Sequence, residues 1–130
     1  MTAPICPYCG KPALLVTGDT IYRNRPDLAH LKFWQCAPCD AYVGCHQTGK
    51  GRRPLGTLAN YQLRMWRGNA HAVFDPFWRN KRGDMRNIAY ENLASELGIQ
   101  KQDCHIGMFD IETCKRVIQI CAKWRATTRR

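Results

Sequence analysis

Eight cysteines stand in 130 residues, and four of them come as two short pairs, Cys6-Pro7-Tyr8-Cys9 and Cys36-Ala37-Pro38-Cys39, with twenty-six residues between. Each C-x2-C knuckle can turn two thiolates toward one ion while backbone N–H groups donate to the sulfurs, which is the chemistry of tetrahedral zinc. All four positions are cysteine, so no coordination position is left for water or substrate. The spacing therefore predicts one structural Zn2+. A thioredoxin-like redox pair and a disulfide pair are the competing uses of C-x2-C. Two copies without a strand–helix–strand pattern disfavour the first, and a chain without an export signal disfavours the second. Gly10 and Asp40 follow the two pairs, and both residue types accept the positive φ that such turns need.

Other residues capable of chemistry are more scattered. Gly44 to Lys50 matches most of a phosphate-binding loop, but Gly51 replaces the hydroxyl that would hold Mg2+ and Pro54 interrupts the helix that should follow. Nucleotide hydrolysis is not expected there. His46, His71 and His105, with Asp75 four residues after His71, are the candidates for acid–base or metal-ligand work. Cys45-His46, His71 and Cys104-His105 could form a second zinc site only if the fold brought them together, because no short spacing forces them to converge.

The elements that must position these groups follow from pattern. Ala13–Thr17, Thr20–Tyr22, Leu31–Gln35 and Tyr42-Val43 read as strands, with a turn at Gly18-Asp19. Gly44 to Gly56 is too rich in glycine and cations for a core element and reads as a ligand-gripping or mobile loop. Thr57 caps a predicted helix from Leu58 to Phe74, on which Asn60, Arg64, Arg67 and His71 share one face. Such a stripe is either a plain solvated face or a binding face. A second helix is expected from the Asp84 cap to Leu97, ended by Gly98, and a third from the Asp110 cap to about Trp124, with Cys114 and Cys121 inward. His30 reads as an exposed strand residue, and Arg125 to Arg130 as a frayed basic tail. The expected fold class is α+β, an N-terminal four-cysteine zinc ribbon of antiparallel strands (1–50) packed on a C-terminal three-helix segment (51–130), the two sharing one core.

Twenty Lys and Arg against ten Asp and Glu give a formal charge of +10, and thirteen of the twenty are Arg, whose fork matches phosphate. Four thiolates and one Zn2+ would lower this only to about +8. No uninterrupted apolar run approaches the roughly 18 residues of a membrane span, and Met1-Thr2-Ala3-Pro4 lacks a signal-peptide pattern. Neither a membrane partner nor export is expected.

The two knuckles together with Cys39-Asp40-Ala41-Tyr42-Val43-Gly44-Cys45-His46, Pro54-Leu55-Gly56-Thr57-Leu58-Ala59, Ala70-His71 followed by Phe74-Asp75, and Cys104-His105-Ile106-Gly107-Met108-Phe109-Asp110 give the chain a family likeness. It resembles, over almost its whole length, the zinc-finger-containing domain family of small, mostly phage and prophage proteins. The resemblance implies a zinc-binding phage or prophage protein in the cytoplasm of a bacterial host, and it supplies no reaction.

The leading expectation is nucleic-acid binding, DNA or RNA, with Lys50, Arg52, Arg53, Asn60, Arg64 and Arg67 on phosphates and Tyr22, Trp34 or Trp78 stacking on unpaired bases. The same basic surface would also serve a phage-encoded interaction protein that blocks a host enzyme, ribonucleoprotein or defence complex. A hydrolase acting on phosphodiesters or nucleotides through His46, His71, His105 and Asp75 is the third reading, and it requires the histidines to meet in one pocket.

Overall fold

The computed structural model describes residues 2–128. It is α+β, and the chain divides into two compact units, Met1–Tyr61 and Gln62–Arg130.

The first unit is built on a three-stranded antiparallel sheet in the order β1 (Leu14–Thr17), β2 (Lys32–Cys36) and β3 (Ala41–Gly44). Leu15 pairs with Trp34, Trp34 with Val43, and Cys36 with Ala41. The expected strand at Thr20–Tyr22 is absent; Gly18–Ile21 instead forms a single helical turn, α1. At Gly18 a Cβ would lie 1.8 Å from the Leu28 carbonyl oxygen, so the chain leaves the sheet through a position only glycine fills. That close approach overrides the β preference of Thr20 and Ile21. His30 is exposed as expected, but in the turn before β2 and not in a strand.

The glycine- and arginine-rich segment after β3 falls within this unit. It doubles back along the edge of β3, with isolated bridges from Cys45 to Pro54 and from Tyr42 to Ala59. Leu58, 1% exposed, joins Cys6, Ala13, Trp34, Cys36 and Ala41 in the unit's buried cluster. The pairing of Ala59 with Tyr42 holds this stretch extended. The helix expected from Leu58 therefore starts three residues later, as α2 (Tyr61–Phe74), and Asn60 lies ahead of it.

In the second unit α2 is followed by α3 (Met85–Leu97) and α4 (Ile111–Thr128). Phe74, Leu93, Ile106, Val117 and the thiols of Cys104, Cys114 and Cys121 are wholly buried in one cluster. Gly98 ends α3 in the left-handed conformation, φ 74°, and Ile99 N–H reaches back to Ala94 O at 3.0 Å. Asp110 caps α4 by accepting from Thr113 N–H at 2.8 Å. Asp84 precedes α3 as expected but makes no capping bond; its carboxylate pairs with Arg82 instead. Arg125 to Thr128 continue α4, whereas Arg129 and Arg130 lie outside the described residues. Among the described residues, no helix is long and apolar enough to cross a membrane.

Candidate metal centre and basic surfaces

Local backbone geometry brings the four cysteines together. In the first knuckle Gly10 takes φ 78° and its N–H donates to Cys6 O at 2.9 Å. In the second, β2 ends at Cys36, a 3-10 turn spans Ala37–Cys39, and Asp40 adopts φ 50°, which leads directly into β3. All four sulfurs lie within 4.8 Å of one another, and Cys9 Sγ is 3.7 Å from Cys36 Sγ. A tetrahedron with metal–sulfur bonds of about 2.3 Å has edges of about 3.8 Å, so the spacing is that of a common ion.

The electrostatics agree. Lys11 N–H donates to the Cys9 sulfur and draws that thiol below its ordinary value, whereas Cys39 is pushed up to about 12, first by its hydrogen bond with Cys36 and then by burial. Cys36 is raised as well, so Cys9 on one side and Cys36 and Cys39 on the other are pulled apart, as thiols crowded together are, and a divalent cation relieves that repulsion. The four residues fit one structural zinc ion. They form the sole group of three or more potential ligands that converges among the described residues, and Cys45, His46, His71, Cys104 and His105 are not in it. None of the eight cysteines is joined in a disulfide.

Fold and site together define a four-cysteine zinc-finger protein. A family model described as a zinc-finger-containing domain matches residues 2–124, and the chain belongs to that family. Neither a curated protein nor a solved structure matches it.

The basic residues separate by environment. Lys50, Arg52 and Arg53 are exposed on a loop whose backbone is fixed to the sheet, because Trp34 Nε1 donates to Arg52 O at 2.7 Å and Lys32 Nζ to Lys50 O at 3.1 Å. Trp34 itself is 7% exposed, so it is an anchor for this loop and not a stacking platform. Arg67 also departs from expectation. It is 9% exposed and donates through Nε to Phe109 O at 3.0 Å, which makes it a strut inside the second unit. Arg64 is half-buried on α2, and Asn60 donates its backbone N–H to Tyr8 Oη.

The histidines occupy distinct settings. His46, in the first unit, lines a cavity of about 260 Å3 with His30, Lys32 and Cys45. In the second unit His71 Nδ1 lies 3.2 and 3.3 Å from the two oxygens of Asp75, which is 5% exposed and also accepts from Arg79 at 2.9 Å. His105 borders a separate small cavity with Arg86, Tyr90 and Lys101. Those three partners went unread in the sequence, although Arg86 and Tyr90 stand at i and i+4 on α3, a spacing that places them on one face.

Proposed function

We propose that this zinc-finger protein binds nucleic acid through the loop that follows its ribbon, in the reducing cytoplasm of a bacterial host cell. The observation that carries this reading is a hollow of about 410 Å3 lined by Thr48, Gly49, Lys50, Arg52 and Arg53, with three cations and no carboxylate in its wall. Its backbone is pinned by Trp34 and Lys32, so little ordering opposes a phosphate contact. The zinc ion would hold the far ends of β2 and β3 and so stiffen the sheet that carries the loop. Tyr22, exposed and packed edge-on against Phe33, offers a ring to an unpaired base, which favours single strands or RNA over duplex.

Counterion release supplies the test. Fluorescence anisotropy with labelled single-stranded RNA and DNA at several salt concentrations should give log K falling linearly with log salt. Arg52→Ala with Arg53→Ala removes two phosphate contacts and should flatten that slope by about 1.4 for a single strand, while the Trp34 bond to the Arg52 carbonyl survives. No binding in low salt, or binding indifferent to salt, overturns the proposal and directs the same cations to an acidic protein partner.

A further inference from the structure

Cys104-His105 is used by neither the metal centre nor the basic loop. Together with α3 it forms a cavity of about 130 Å3 lined by Arg86, Asn87, Tyr90, Lys101, Cys104 and His105. The wall holds a guanidinium, an ammonium, an imidazole, a phenol and a carboxamide, and no carboxylate. Cys104 adds no charge, since burial pushes its thiol up to about 11, and burial likewise raises Tyr90, which keeps its proton and can donate it. Lys101 Nζ donates to Asn87 Oδ1 at 3.0 Å, which leaves the NH2 of that carboxamide as its donor side. Glu91 takes a second Lys101 bond at 3.2 Å, and the Asp75 carboxylate, whose charge reaches Tyr90, is engaged by Arg79 at 2.9 Å. The Arg86 guanidinium lies over the rings of Trp78 and Tyr90, 5.3 and 4.9 Å from their centroids, and is thereby held in place before any ligand arrives.

Size narrows the ligand. The cavity is well below the roughly 300 Å3 at which pockets for drug-sized molecules begin, so it admits one small group and not a nucleoside. We propose that it binds a phosphate monoester, the terminal phosphate of a nucleic-acid strand. A monoester brings two charges and three free oxygens to a wall of two cations and several neutral donors. An internal diester brings one charge, two free oxygens and chain on both sides, and so matches the same donors less fully. The choice of a strand as the source rests on the nucleic-acid reading; the affinity for a phosphate dianion does not.

Two measurements on the zinc-loaded full chain keep these apart. Inorganic phosphate, titrated at constant ionic strength, should shift the His105 ring signals in NMR saturably, and Arg86→Gln should abolish the shift. His105→Gln, at an exposed position that leaves the rings under Arg86 untouched, should weaken phosphate binding with the fold intact, read there from the Tyr90 ring signals. Absence of a saturable shift, or an unchanged response in Arg86→Gln, overturns the pocket. In the second measurement, oligonucleotides of one sequence with a 5′-phosphate, a 3′-phosphate or neither are compared. A phosphorylated end should bind about tenfold tighter, and Arg86→Gln should remove that preference. If phosphate saturates the site while all three oligonucleotides bind alike or none binds, the strand end is overturned and a free phosphate or nucleotide is the ligand.

Discussion

Arg52 and Arg67 carry the same guanidinium and differ in what surrounds it, so their substitutions should be read by different instruments. Arg67→Ala removes a charge-assisted bond to the Phe109 carbonyl and leaves a gap in the second unit, a loss of about 2–4 kcal/mol that thermal or urea denaturation will report. Nucleic-acid affinity per folded molecule should not change. The reverse outcome would return Arg67 to the binding surface. His71 is a gentler case, because Asp75 keeps its 2.9 Å bond to Arg79 when the imidazole is gone. His71→Ala should therefore cost only about 1 kcal/mol in denaturation, and a larger loss would mean that the carboxylate depends on His71 for its burial. At the cysteines the contrast is between ligand and filler. Cys36→Ser should lose zinc, whereas Cys121→Ser, in the second unit's core, should retain it; metal analysis of the two proteins decides.

At the scale of elements, the ends of α4 and α3 show what local chemistry can specify. The Thr113 bonds hold the Asp110 carboxyl below its ordinary value, so this cap contributes only while the carboxylate is ionised. Asp110→Ala should cost about 1 kcal/mol near neutrality. Because the folded-state value is the depressed one, the difference from wild type should persist down to about pH 4 and vanish as pH falls through the folded value; denaturation midpoints between pH 2 and 7 will show this. Features of this kind were legible in the sequence. The cysteine pairs, the Gly98 stop and the Asp110 cap each depend on residues a few positions apart, and the structure has them where spacing puts them. What escaped was decided at long range. Thr20 and Ile21 enter a helical turn and not a strand because Leu28 lies against Gly18, Leu58 and Ala59 are held extended by β3, and Trp34 is buried under a carbonyl eighteen residues away. Each of these residues has a local propensity pointing elsewhere, and tertiary contact overrides it. The basic loop was readable as a loop, but the anchoring of its backbone was not.

For the whole molecule, metal removal should act unequally on the two units, because each has its own buried cluster and one of them leans on zinc. Two of the six buried residues in the first cluster, Cys6 and Cys36, are also metal ligands. A unit of this size with so few large apolar side chains sits where burial alone rarely offsets chain entropy, so ion binding and folding of the ribbon should be one event. The second cluster, built on Phe74, Leu93, Ile106 and Val117, contains no ligand of that site. Chelation should therefore strip hydrogen-exchange protection from the amides of β1, β2 and β3 while α3 and α4 keep theirs. Affinity for nucleic acid should fall in the same titration, since the Arg52 backbone is held by Trp34 on β2 and loses that anchor when the sheet loosens. Restoring zinc should restore both. Protection lost equally in strands and helices would instead make the chain a single cooperative unit; affinity unmoved by chelation would detach the basic loop from the ribbon and leave the metal a purely local staple.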